Sequence, residues 1–431
     1  MVHETSCLQY MSESITRHRK YECDDSSEEG TFMESKEQQV NTSSPILMLG
    51  ILSISFLMSV SNAVSGTIPL MKQYFSNISE ANVELLVVIP TGGVLLGTVV
   101  SGLISNKLGK KYTVLLGLIV SLVFGVIPAF FYNYPAIFLS RAMFGVGMGI
   151  FTPLSVSYIT DVFPEKIRNR LLGWRNSVGA IGDSIMLFIA GFLINISWHA
   201  TYLVFLFLIV PIVLVSLFVP KRLDRVIVED GKEVEEDTSI KPSTNGGVIQ
   251  LAILFLFVCL FYSAISLKLA SHMVDSHIGS AADATRIFGF LVLCSIISGI
   301  AFEQLAKWCG RYTVFIFEVL TAVVMIAMPF TNSIPVLLVL VLVAGFCNGI
   351  INPALTARMV AYSPKGSMNL TTSIILIGIN IGSLVAPYFF QALGGVLGKN
   401  DPGFMIMCAG VCYVILALYD AFVVKKDKLT I

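Results

Sequence analysis

The sequence predicts an all-α polytopic membrane protein, crossing a bilayer about twelve times in two pseudo-symmetric six-helix bundles. Three observations predict it. Of the 431 residues 55% are apolar and only 13% charged, with a mean hydropathy of +0.80, against roughly 25% charged residues in ordinary soluble domains. Apolar stretches of about twenty residues, long enough to cross roughly 30 Å of hydrocarbon as helix, recur along the chain. The second half also repeats unusual residues of the first at a constant shift of 200 positions.

Along the chain, residues 1–44 are polar and rich in Ser and Glu, with acids at Asp24, Asp25, Glu28 and Glu29. They lack the basic start and short apolar core of a signal peptide and predict a disordered cytoplasmic tail, either regulatory or dispensable. Six spans follow near 45–69, 83–105, 112–131, 136–160, 171–194 and 202–220, so that residues 45–220 form the first bundle. Residues 221–247 are charged and turn-rich and read as a cytoplasmic linker. Six further spans near 248–270, 287–302, 312–330, 336–361, 371–395 and 404–424 make a second bundle over 248–424, and 425–431 form a short cytoplasmic tail.

Orientation follows from Lys and Arg in the short loops, which are retained on the cytoplasmic side. One set of alternate loops carries Lys107, Lys110 and Lys111, then Lys166, Arg168 and Arg170, then Lys221, Arg222 and Arg225, and in the second half Lys307, Arg311 and Lys365. The opposite set holds little beyond Lys72, Arg286 and Lys399. Both termini and the linker are therefore placed in the cytoplasm, and the protein in the plasma (inner) membrane.

The shift of 200 brings Lys107, Lys111, Tyr112 and Thr113 onto Lys307, Arg311, Tyr312 and Thr313. Gly145, Gly149 and Pro153 fall on Gly345, Gly349 and Pro353, Pro164 on Pro364, and Gly182 on Gly382. Shared Gly, Pro and basic positions carry more weight than chance matches of Leu or Val. Two related halves with a substrate site between them near mid-membrane are one arrangement of secondary transporters.

The loop GLISNKLGKKYTV, with Gly102, Lys107, Gly109, Lys110 and Lys111, resembles the signature loop of the major facilitator superfamily, as does RAMFGVGMGIFTP from Arg141 its second signature. The chain looks most like the bacterial drug and sugar efflux branch, proton antiporters of twelve spans. The resemblance implies a gating charge network at that loop; here Asn106 occupies the acidic position, and Glu303 in the second half lies one turn before the equivalent site. The run 158–174, with Asp161, Glu165 and Arg168, is similar to the link between the fourth and fifth helices of many members, where ion pairs gate. The basic loops serve either topology alone or gating.

Within spans, a charge is expensive and marks a functional candidate. Arg141 is implied by the family in proton coupling or substrate contact, or else snorkels to the outer surface. Asp183, in the middle of the fifth span, is either a proton acceptor or structural glue paired with Arg141 or Lys268. Asn348 and Asn352 share one helix face and line a substrate path or bond between helices. Asn62 and Asn380 are further candidates, while Lys268 and Glu318 are expected near span ends, reaching the interface. Gly145 and Gly149, with Gly345 and Gly349, are expected to let neighbouring backbones approach closely.

The predicted function is secondary active transport of a small organic solute by alternating access, as proton-coupled efflux of drugs or sugar-like compounds. Nutrient uptake or facilitated diffusion shares the architecture, and a non-transporting receptor is the reading from another class. The expected partners are a small-molecule substrate, protons and the lipid bilayer, with the protein a monomer. Zero net charge gives no sign of nucleic-acid binding. Five histidines and eight scattered cysteines show no metal spacing, and neither a GxxxxGK[ST] phosphate loop nor a GxSxG elbow occurs, so no cofactor, metal or enzymatic activity is expected.

Overall fold

The computed structural model describes residues 45–56, 60–220 and 243–426, and among these the regular elements are all helices. The tail 1–44, most of the linker and the last five residues lie outside the described residues, as do the side chains of Asn62 and Glu165. Helices dominate because a backbone in hydrocarbon must satisfy its own N–H and C=O groups. Ten helical stretches are long and apolar enough to cross a membrane.

One of them, Ala281–Phe330, has 50 residues and would extend about 75 Å if straight, more than twice the hydrocarbon thickness. It is instead broken at Gly310, whose φ of 54° lies in the left-handed region that favours glycine. The eighth span, Ala281–Cys309, and the ninth, Thr313–Ala327, thereby become separate crossings. The first span falls below the length threshold because it is interrupted, with helix over Pro45–Ser53, a 3-10 stretch over Val60–Thr67 and helix again over Ile68–Tyr74. Counting both gives twelve.

The remaining spans are Glu80–Leu108 (second), Lys110–Val126 (third), Tyr134–Val162 (fourth), Glu165–Leu193 (fifth) and Ala200–Phe218 (sixth, 3-10 in its first half). In the second half they are Gly246–Asp275 (seventh), Ile334–Tyr362 (tenth), Met368–Leu397 (eleventh) and Pro402–Lys426 (twelfth).

The halves repeat each other in packing. The second span lies along the fourth as the eighth lies along the tenth, and the seventh packs on the eleventh as the first packs on the fifth. A Cβ on Gly182 would strike the carbonyl of Phe56, and one on Gly382 the carbonyl of Leu256, the same contact displaced by 200 residues. Such contacts need glycine because backbone meets backbone.

Between the halves the fifth span faces the eighth and the second faces the eleventh. They touch at the end opposite the basic loops. There the Ser184 hydroxyl donates to the Gly289 carbonyl at 2.6 Å, the Tyr388 hydroxyl to Asn82 Oδ1 at 2.9 Å, and Gly66 packs on Thr285 and the Ala281 carbonyl. Toward the basic loops the fifth and eighth spans separate around a cleft of about 320 Å³ lined by Asn176, Ser177, Ser295 and Gly299. Nothing lies within 4 Å of a Cβ placed on Gly173 or Gly299.

Candidate functional site

A cavity of about 300 Å³ lies between the halves. Its polar lining includes Ser65 of the first span, Thr91 of the second, Tyr262 and Ser266 of the seventh, and Asn348 and Asn352 of the tenth, set among Val88, Leu187, Val258 and Leu291. No acidic, basic or histidine side chain is among the described residues lining it. The hydroxyls of Thr91 and Ser266 donate to carbonyls of their own helices at 2.7 and 3.0 Å, leaving oxygen lone pairs toward the cavity as acceptors. Asn352 Nδ2 donates to the Asn348 carbonyl at 3.1 Å and to its Oδ1 at 3.2 Å. The buried Tyr262 hydroxyl has no hydrogen-bond partner among the described residues. The arrangement offers neutral donors and acceptors on an apolar wall, the mixture that orients a small uncharged ligand.

Of the residues proposed from sequence, Asn348 and Asn352 meet at this cavity. Asn380 bonds the Leu376 carbonyl on its own helix at 2.7 Å and is not among the lining residues. Asp183 is only 5% exposed and lies one turn from the lining residue Leu187, on the helix that contacts the eighth span.

Arg141 does not snorkel. It is fully buried within the first half, where Nε donates to the Leu86 carbonyl at 3.0 Å and the guanidinium lies over the rings of Phe144, Tyr202 and Phe205. The reason is in the second span. Pro90 has no N–H to give to the carbonyl four residues earlier, which is that of Leu86. Arg141 supplies the missing donor, and a Cβ on Gly145 would strike the Pro90 backbone beside it. Gly149 is likewise pressed against the backbone of the second span, Gly345 against Leu291 and Gly349 against Ser298.

Two expectations are corrected. Lys268 and Glu318 do not reach the interface; they are 3% and 0% exposed, because the helices carrying them run on beyond the expected span limits or are enclosed by neighbours. Lys268 pairs with Glu84 and Glu80 of the second span at 2.6 and 2.8 Å. Glu318 faces a buried pair formed by Arg358 of the tenth span with Asp420 of the twelfth.

Glu84, Arg358 and Asp420 were missed. Each is a charge inside an apolar run, which is a usable signal, but each falls near a predicted span end and resembles a loop residue until the helix limits are known.

At the basic end these side-chain contacts among the described residues stay within a half. Lys110 binds Asp161, Lys111 Nζ donates to the Ser216 carbonyl at 2.8 Å, and Lys307 pairs with Glu303 at 2.7 Å in the exposed manner of an i,i+4 pair. The Arg311 carbonyl accepts from Arg358, while Gly102, Asn106 and Lys107 are exposed. Arg168 donates its backbone N–H to the Pro164 carbonyl at 2.8 Å in the first turn of the fifth helix. At the closed end His199, between spans, stacks on Trp198, and burial holds its imidazole below the usual histidine range.

The model of the Major Facilitator Superfamily matches residues 47–328, about two thirds of the chain. The chain belongs to the Major Facilitator Superfamily. It is similar to the multidrug efflux protein YfmO of Bacillus subtilis, 24% identical over 309 residues that cover 70% of this chain and 73% of the relative. A galactose-proton symporter of Escherichia coli is 28% identical over 119 residues, covering 28% of this chain and 25% of the symporter. Among solved structures, a bacterial homologue of the human lysosomal transporter Spinster, inward-facing and unoccupied, superposes with a TM-score of 0.71 at 15% identity over 89% of this chain and 98% of that one. The protein is thus a multi-pass membrane transporter of the superfamily, whose members move small-molecule substrates.

Proposed function

We propose that this transporter couples proton movement to export of small, uncharged, amphipathic or sugar-like solutes across the plasma membrane by alternating access. The observation that carries the reading is the cavity between the halves, an apolar wall with neutral polar groups and no charged side chain among the described residues lining it, with a second cleft between the halves toward the basic loops. If the basic loops are cytoplasmic, as the distribution of Lys and Arg supports, the described state is open to the cytoplasm. A cavity without acidic residues offers no counterion to a cationic drug, which favours neutral solutes. Export is supported by the efflux relative, whose similarity spans most of both chains. Uptake by symport is the second reading, favoured by the resemblance to the galactose-proton symporter over a shorter stretch.

Asp183 is proposed as a coupling carboxylate, since it is buried beside the cavity wall on a helix that meets the other half. The test is transport of radiolabelled chloramphenicol, a neutral probe, by the full-length protein in proteoliposomes with an imposed pH gradient. Accumulation that collapses with an uncoupler is the expected result, and Asp183→Asn is expected to abolish accumulation against a gradient. Chloramphenicol and a panel of hexoses all failing to move would overturn the reading.

A further inference from the structure

The closed end is held by a buried cluster that joins the two halves. Lys268 of the seventh span lies 2.6 Å from Glu84 Oε1 and 2.8 Å from Glu80 Oε1, both on the second span. Glu80 also pairs at 3.1 Å with Lys72, in the last turn of the first span. Glu84 is fully buried, and its Oε2 has no hydrogen-bond partner among the described residues. The cluster roofs the cavity: Val88, one turn from Glu84, and Ile265, three residues before Lys268, both line it.

Glu84 has no further charged partner on the neighbouring helices, whose polar groups are either bonded elsewhere or, like Ser271 Oγ and His272 Nε2 of the seventh span, without a hydrogen-bond partner among the described residues. From the fourth span, Arg141 reaches the Leu86 carbonyl and the Tyr134 hydroxyl donates to the Asn82 carbonyl at 2.9 Å. From the eleventh, Tyr388 bonds Asn82 Oδ1, and on the seventh His272 Nδ1 lies 3.2 Å from the Ser276 hydroxyl. Lys72 and Lys268 therefore balance Glu80 and Glu84, two basic side chains against two acidic ones.

That balance depends on the halves being together. When this end opens, Lys268 leaves with the second half, and Lys72, Glu80 and Glu84 stay with the first. Lys72 is placed beside Glu80, so the carboxyl group that loses its cation on opening is Glu84, and the loss of a nearby cation favours its protonated form. We propose that Glu84 is a proton-exchange site of the transport cycle, a carboxylate paired with Lys268 when this end is closed and a carboxylic acid when it is open. On opening, water admitted to the vestibule delivers one proton, which forms an O–H bond at Oε2. On closure the Lys268 ammonium returns, that bond breaks with its electron pair left on the carboxylate, and the proton departs through the cavity.

The step needs no other reactant, and it takes its proton from one side and releases it to the other. It rests on alternating access as proposed above, but on neither the substrate nor its direction.

The test reads conformation and needs no substrate. Spin labels carried on noncanonical amino acids at the exposed positions Asn133 and Asn332, which follow the third and ninth spans, report the separation of the halves at this end by pulsed electron resonance in nanodiscs. In the otherwise unaltered full-length chain the ratio of open to closed molecules is expected to rise up to tenfold for each unit of acidification within the responsive range, the limit for one linked proton. Glu84→Gln and Lys268→Met are each expected to remove this pH response, and Glu84→Asp to retain it. If one of the first two variants does not insert, the other carries the test. A wild-type pH response in either variant would overturn the proposal. Chloramphenicol flux is scored separately: loss of the pH response in Glu84→Gln without chloramphenicol transport by wild type would sink the substrate assignment and leave the proton site standing.

Discussion

The two ends of the bundle are held by different chemistry. At the closed end the contacts cross between halves: Gly66 against Thr285, Ser184 to Gly289, and Lys268 to the paired glutamates. At the basic end the ion pairs among the described residues stay inside one half, Lys110 with Asp161 and Lys307 with Glu303, and a Cβ on either of the facing glycines Gly173 and Gly299 would meet nothing within 4 Å. Contacts internal to a half persist through a rigid-body rocking motion, whereas contacts between halves must be exchanged. The difference separates residues that hold a half together from residues that choose its state.

The largest expected effect tests the first class. Arg141→Met removes the donor for the Leu86 carbonyl that Pro90 leaves orphaned, and is expected to cost about 2–3 kcal/mol as a lowered melting temperature in detergent. Because this contact lies within one half, the separation of the halves at the closed end should be unchanged in the molecules that remain folded; a shifted separation would break the division between the two classes.

A smaller effect should divide by end. Gly66→Val places a side chain into Thr285 and is expected to disfavour the closed end by about 2 kcal/mol, the range of overpacking, read as a shift toward open molecules with the same labels. Gly299→Leu has room in the described state and should leave its stability unchanged. If the eighth span must close against the fifth in the alternate state, the same substitution should slow chloramphenicol flux. Equal conformational shifts from both substitutions would erase the contrast between ends.

The smallest stability effect is expected from Asp161→Asn. Both partners of the Lys110 pair are about one-third exposed, so its loss should cost under about 1 kcal/mol. A large melting shift would show that a pair at the open end stabilises its half as a buried contact does.

Much of the fold is legible in the sequence. Span count, the basic loops and the 200-residue repeat are local or periodic properties, and Gly182 with Gly382 shows the repeat surviving into equivalent contacts. The interrupted first span was harder to place, because its overall hydropathy hides the change from helix to 3-10 geometry at Val60–Thr67. The candidate site was partly legible: Asn348 and Asn352 line the cavity from a shared helix face. Arg141 was conspicuous as a buried charge, but its partner is a backbone carbonyl, which no residue type announces.

The sequence by itself determined a twelve-span helical membrane protein with related halves, since hydrocarbon demands apolar helices and period and composition report them directly. Only the tertiary structure decided which charges meet. Lys268 and Glu84 are 184 positions apart, and their pairing depends on which faces of the seventh and second spans turn toward each other when one end is closed. Arg141 and Pro90 depend likewise on the crossing of the fourth span over the second. Hydropathy averages over a helix, whereas an ion pair is settled by a few ångströms of rotation and register between helices from distant parts of the chain.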